Sequence, residues 1–354
     1  MSAKYRHYAC RITDEMTYKG MNTIFMENEL ISIGILLDKG ADIFQLIHKA
    51  SDMDFLWKSP NGITTPSRYR ETMASSTGSF LDHYHGGWQD IFPGGGPANY
   101  MGAELGLHGE VSQLGWEYTI LEDTAERIKV LLTVNCIRTP FRIEKTIELR
   151  SSNPAIYIVE KIINLSTETL EFMWGQHPAI GAPFLRKGVK LIIPAAKGEI
   201  HSPKFMESSI FEPGQVFDWP IVRNGEKETD LSIVLGDDAN CGDLVYIKDL
   251  KEGWYAILDE EKELGFGLAW PKEIFKYIWF WFVYGKSSGY PWWDRTYCLA
   301  LEPWTSAPSS LAKAMEQNTT IRIKGGESLT VPLTAVVITN ANKISNIGIN
   351  GTVT

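Results

Sequence analysis

Apolar and polar residues alternate along much of this chain, and the period is two. Phe141-Arg142-Ile143-Glu144 and Ile147-Glu148-Leu149 each set apolar side chains on one face and charged ones on the other, as in a sheet with one wet face. Thr139-Pro140 and Ser151-Ser152-Asn153-Pro154 interrupt the pattern with turn chemistry. The alternation predicts strands over 117–122, 127–138, 141–150 and 155–164, and hairpin succession of this kind implies antiparallel pairing. Shorter runs before it predict strands over 22–26, 30–37 and 42–47. Later runs predict strands over 187–194, 199–202, 244–247, 253–259, 265–270, 277–283, 297–301, 319–323 and 328–339. Helical periodicity is almost absent, with 309–316 the best candidate for a short helix. The stretches 49–77 and 212–230 are polar and read as connections, and 81–97 is too rich in glycine for a helix or a long strand. With no repeat and no evident linker, the expectation is an all-β chain forming one domain over 1–354, a large antiparallel β-sandwich with few short helices.

Candidate chemistry falls at strand ends. Leu170-Glu171-Phe172-Met173-Trp174 alternates and predicts a strand that delivers Gly175-Gln176-His177-Pro178, so His177 is expected at a strand terminus. A titratable ring held by a following proline suits proton transfer, and it also suits a satisfied structural histidine. A second apolar run ends on Glu302, with Pro303 and Trp304 behind it. Desolvation beside Trp304 and Trp293 would raise the carboxyl pKa and make a better base. Equally, Glu302 could cap its strand or pair with Arg295. His108 lies in a glycine-flanked turn, Gly106-Leu107-His108-Gly109.

Composition narrows the functional class. The chain has 354 residues, 44% hydrophobic and 22% charged, and a net charge of −9, which argues against non-specific nucleic-acid binding. The 12 Trp, 14 Tyr and 15 Phe concentrate between Trp254 and Trp304. Aromatic faces stack on the apolar face of a pyranose, although most of these rings must fill the core. Trp279 and Trp281 share one face of the predicted strand over 277–283 and are a candidate sugar platform. Lys272, Lys286 and Arg295 fall in the same part of the chain and could meet an anionic substituent or simply face solvent. The cysteines, at 10, 136, 241 and 298, form no C-x-x-C pair and suggest reduced thiols. The first residues lack the apolar core of a signal peptide, and no apolar run is long enough to span a membrane as a helix. A cytoplasmic protein is expected. His83-x-His85 raises a metal site, but the glutamate and strand context of a cupin are missing. Phosphate loops, dinucleotide fingerprints and a nucleophile elbow are also missing.

Three stretches, taken together and in order, resemble the aldose 1-epimerase (galactose mutarotase-like) superfamily. They are Leu107-His108-Gly109 with Gly115-Trp116-Glu117, then Trp174-Gly175-Gln176-His177-Pro178, then Leu299-Ala300-Leu301-Glu302-Pro303-Trp304. The resemblance implies a β-supersandwich with an open sugar cleft and no metal or other cofactor. It implies that Glu302 is the base at the anomeric hydroxyl, that His177 is the acid at the ring oxygen, and that His108 bonds the sugar. Gln176, His85, Gln89, Trp279 and Trp281 are the further expected sugar contacts. His177 and Glu302 are expected on opposite sides of the sugar ring, facing each other across the cleft. Better-known members carry Asn-Gly-Arg before the first histidine. Here Gly86-Gly87-Trp88-Gln89-Asp90-Ile91-Phe92-Pro93 is closer to a Gly-Gly-x-x-x-x-Phe-Pro pattern, so no substrate-anchoring arginine carries over. The implied activity is interconversion of sugar anomers, with a small-molecule carbohydrate as partner and neither nucleic acid nor membrane. The alternatives are a non-catalytic carbohydrate-binding protein on the same fold and a metal-dependent sugar isomerase or lyase using His83, His85 and His108.

Overall fold

The computed structural model describes residues 6–65 and 74–354. The predicted reading of the first residues, and of 66–73 within the polar stretch 49–77, lies outside them.

Alternating side chains demand sheets with a buried face, and two large antiparallel sheets supply it. The larger runs from Arg11–Thr13 through Met21–Glu27, Ile31–Leu36, Asp42–His48, Trp88–Ile91, Gly175–Gly181, Thr296–Trp304, Tyr277–Gly285 and Cys241–Lys248 to Lys197–Ile200 and Val216–Asp218. The smaller runs from Glu117–Asp123 through Arg127–Asn135, Phe141–Arg150, Ala155–Asn164, Ser328–Thr339, Leu264–Ala269 and Trp254–Asp259 to Lys190–Ile192. Rings from the two sheets meet between them, as where Trp88 contacts Phe266 edge-on at 6.2 Å. The strands Phe141–Arg150, Ala155–Asn164 and Ser328–Thr339 keep the bounds that alternation predicts. The short helix is Leu311–Glu316, capped by the Ser310 hydroxyl. The four cysteines are unpaired. No helix among the described residues is long and apolar enough to cross a membrane.

Four expectations change. The glycine-rich stretch 81–97 contains a strand after all, Trp88–Ile91, in the middle of the larger sheet and buried at every residue. Its polar residues Gln89 and Asp90 find partners inside the protein, so alternation gives no signal there. The stretch 212–230 holds the strand Val216–Asp218 and a hairpin, Ile221–Asn224 against Lys227–Asp230. The alternating run from Leu170 stops at Phe172 and pairs with Ile321–Ile323 in a separate small sheet. His177 therefore lies inside its own strand, Gly175–Gly181, rather than at the end of the preceding one. Glu302 likewise lies inside a strand, Thr296–Trp304.

Between the sheets, one polar group of charges is fully enclosed. Lys145 Nζ donates to Asp90 Oδ2 at 2.7 Å, and Gln176 Nε2 donates to Asp90 Oδ1 at 2.8 Å and to Glu160 Oε2 at 3.1 Å. The Trp88 indole closes the group by donating to Gln176 Oε1 at 2.7 Å. Burial and the neighbouring Asp90 push the Glu160 carboxyl well above the usual carboxylate range, while Asp90 and Glu160 hold the Lys145 ammonium above its ordinary value against burial. Lys145→Met leaves two buried acids without their cation. It is expected to cost about 3–5 kcal/mol of folding free energy, measured by urea unfolding.

Candidate functional site

Strand register assembles the site. Gly175 pairs with Trp304 and Ala179 with Ala300, which sets His177 opposite Glu302 on the neighbouring strand. On the other side His177 pairs with Gln89, and beyond Glu302 the pairing continues to Trp279 and then Tyr246. Residues paired across strands share a face. Gln89, His177, Glu302, Trp279 and Tyr246 therefore form one row across five strands of the larger sheet, on the face turned away from the smaller one.

Three members of the row, His177, Glu302 and Trp279, line a cavity of about 1040 Å³. His177 Nε2 lies 3.4 Å from Glu302 Oε1, and both side chains are buried at the cavity floor. Glu302 Oε2 accepts a hydrogen bond from the Trp304 indole at 2.9 Å. His177 Nδ1 lies 3.3 Å from the Tyr84 hydroxyl. The two His177 tautomers remain equivalent to that hydroxyl, which can donate to Nδ1 or accept from it. Gly175 matters to this arrangement, because a Cβ there would collide with the Trp304 indole that holds Glu302.

Burial acts on both members of the pair against charge. It holds the His177 imidazole down at about 4, and it pushes the Glu302 carboxyl well above the usual range although the Trp304 bond pulls the other way. Burial therefore favours the neutral form of each partner, an imidazole beside a carboxylic acid, which together hold one proton. The charged arrangement, imidazolium beside carboxylate, is a tautomer of that same state, reached by moving one proton along the contact.

His108 reaches the same cavity from its turn. It adopts φ +63°, with its N–H bonded to the Gly95 carbonyl, and the following Gly109 has φ +71° where a Cβ would strike the Phe92 carbonyl. Its ring centroid is 5.3 Å from that of His177, and its Nδ1 is buried without a hydrogen-bond partner. Burial and the adjacent His177 hold its pKa well below the ordinary histidine value. Trp281 and Trp279 line the cavity wall. Trp279 also stacks on Trp304 with centroids 4.0 Å apart, so this ring packs the core and faces the cavity at once.

Several expected contacts fall elsewhere. Gln176 points to the opposite face from His177, as strand alternation requires, and is bonded into the enclosed group with Asp90 and Glu160. His85 is buried beside Asp42, with Nε2 3.9 Å from Asp42 Oδ2, and does not line the cavity. Gln89 shares the face of His177, but its amide is turned to Asp42 Oδ2 at 3.2 Å and to the Gly86 carbonyl at 2.6 Å. His177 and Glu302 are in direct contact on one sheet face, so a sugar ring does not fit between them as expected. Arg295 bonds Asn61 instead of Glu302, Lys272 bonds the Lys251 carbonyl, and only Lys286 of these three cations lines the cavity. His83 and His85 do not join His108 at the cavity wall, and among the described residues no three His, Cys, Asp or Glu side chains form a metal-ligand group.

Tyr84 is an addition to the expected site residues, whereas Trp304 stands beside Glu302 as the sequence predicts. Tyr84 and Trp292 line the cavity, and the Tyr84 ring contacts those of His177, Trp281 and Trp292. Tyr84 stands between His83 and His85, and its own sequence setting carries no signal.

A family model described as domain of unknown function (DUF4432) matches residues 18–337. No curated protein matches by sequence. Solved structures do match by fold. An aldose 1-epimerase candidate from Klebsiella pneumoniae aligns with TM-score 0.73 at 13% identity, covering 95% of this chain and 85% of its own. A galactose mutarotase-like protein from Clostridium acetobutylicum aligns with TM-score 0.62 at 14% identity, covering 94% and 99%. A galactose mutarotase related enzyme from Lactobacillus acidophilus aligns with TM-score 0.61 at 18% identity, covering 91% and 100%. The fold is the galactose mutarotase-like β-sandwich.

Proposed function

We propose, for a chain that belongs to the DUF4432 family, that the cavity binds a sugar and that His177 and Glu302 exchange protons with its anomeric centre. The observation that carries this reading is the 3.4 Å contact between His177 Nε2 and Glu302 Oε1 on an aromatic-walled cavity floor. The fold neighbours, with printed names of aldose 1-epimerase and mutarotase type, support a sugar as the ligand class.

Opening a cyclic hemiacetal removes a proton from the anomeric hydroxyl and delivers one to the ring oxygen. Both oxygens are bonded to the same carbon, so two adjacent groups on one face can serve them together. As the bond from carbon 1 to the ring oxygen breaks, one member of the pair takes the hydroxyl proton and the other gives its proton to the ring oxygen. The pair ends with the proton count it began with. Rotation about the C1–C2 bond and closure with the protons returned give the other anomer. The one-proton state of His177 and Glu302 matches this requirement in either tautomer. His108 Nδ1, buried and unpartnered, supports a hydrogen bond to the sugar.

NMR exchange spectroscopy across hexoses, pentoses and their derivatives tests the proposal. Cross-peaks between anomers that grow with protein concentration are expected for at least one sugar. Sugar binding without any accelerated exchange would favour the non-catalytic carbohydrate-binding reading.

A further inference from the structure

The cavity is larger than its catalytic end requires. At about 1040 Å³ it stands at the top of the range, roughly 300–1,000 Å³, in which drug-sized ligands are bound, and a free hexose is much smaller than such a ligand. His177 and Glu302 are buried at the floor, whereas the lining residues of 204–210 and 286–291, all exposed or half-buried, form the far, solvent-side wall. That wall carries the rings of Phe205 and Tyr290, 39% and 53% exposed, beside the Ser208 hydroxyl and the Lys286 ammonium, while the Ser288 hydroxyl donates to Asp294.

Two buried polar atoms lining this cavity lack partners, and they lie on separate segments: His108 Nδ1 in the turn beside the proton-transfer pair, and Ser208 Oγ in the far wall. A buried hydroxyl without a partner costs free energy unless a ligand or water meets it. The segment holding Ser208 is fixed rather than loose. The Ser209 hydroxyl donates to the buried carboxyl of Asp243, and the Asn224 amide donates to the Ile210 carbonyl at 2.7 Å. Asp294 braces the facing loop by accepting from the Ser287 N–H at 2.8 Å.

A pyranose presents an apolar face of C–H groups and an edge of hydroxyls, which is the complement of ring faces beside polar donors. Resting on the proposed function above, we infer that the far wall is a subsite for a second sugar unit, so that the substrate is a reducing disaccharide or longer saccharide with its reducing ring at His177 and Glu302. Lys204 donates to the Glu207 carbonyl at 3.0 Å, and Glu207 lines the same cavity as Lys204 and Lys286, so its charge offsets theirs and argues against a dedicated anion site.

The test compares anomer exchange for reducing disaccharides, their component hexoses and hexose 6-phosphates with the full chain. The expected result is a kcat/KM at least about tenfold higher for a disaccharide than for its reducing hexose. The double variant Phe205→Ala with Ser208→Ala is expected to lower that ratio by about tenfold. Equal or better exchange of the free hexose would overturn the subsite while leaving the proposed function intact, and so would a clear preference for the sugar phosphate. If no sugar exchanges, the proposed function fails, and titration calorimetry then decides the subsite separately. A disaccharide bound about tenfold more tightly than the hexose would uphold it, and equal affinity would overturn it.

Discussion

Anomer exchange is expected to fall by about three orders of magnitude in Glu302→Gln, within the range of about 10²–10⁴ that general acid–base groups contribute, while sugar binding is retained. The amide keeps the shape of the carboxyl and can still accept from the Trp304 indole, which bonds Glu302 Oε2 at 2.9 Å. It can neither take nor release a proton. Burial raises the Glu302 pKa, so the neutral carboxylic acid is the form that the folded protein favours, and glutamine resembles it. The linkage has a definite sign. A carboxyl with a raised folded-state pKa contributes its stability fully below the ordinary carboxylate range and loses it as pH rises through the raised value. Glutamine has no such loss, so the melting temperature of Glu302→Gln should gain on that of the parent as pH increases. NMR exchange rates and melting curves from pH 4 to 9 measure both effects. Undiminished exchange would remove Glu302 from the reaction.

His177→Asn is the second large effect, with an expected loss of about two to four orders of magnitude in kcat/KM. The pH profile of the parent should be a plateau with two limbs. Below about 4 the imidazole takes up a second proton and the rate falls, and on the alkaline side the pair loses its shared proton and the rate falls again. A titration of the pair belongs to both groups, so the profile reports total protonation and is the same for either direction of transfer. In His177→Asn the acid limb near 4 should vanish. An acid limb that persists in the variant would point to another group. A variant with weaker binding and unchanged kcat would make His177 a ligand contact.

The parts of this fold that can be read from sequence are those where burial is one-sided. Phe141–Arg150 and Ala155–Asn164 alternate because one face meets the other sheet and the other meets water. Trp88–Ile91 gives no such signal, since Gln89 and Asp90 are enclosed on opposite faces by Asp42 and Lys145, residues remote in sequence. The site shows the same limit. His108, His177 and Glu302 are visible through the residues around them, but their contact depends on register between distant strands. Gln176 is expected as a sugar contact from the resemblance around His177, but adjacent residues in a strand point apart, and it faces the enclosed group instead. Trp304 follows Glu302 by two positions, which places both on one face, and that spacing makes the indole partner of the carboxyl legible in the sequence.

The row Gln89–His177–Glu302–Trp279–Tyr246 has a kinetic consequence. Each member comes from a different strand, and a one-residue slip in any of them would turn its side chain to the other face. The hairpin of Tyr277–Gly285 with Thr296–Trp304 closes a short loop, whereas the pairing of Gly175–Gly181 with Thr296–Trp304 closes a very long one. Glu302 and Trp279 should thus be neighbours well before His177 joins them. Refolding followed by recovered exchange activity should lag behind refolding followed by strand content, because the contact of His177 with Glu302 needs this long-range alignment.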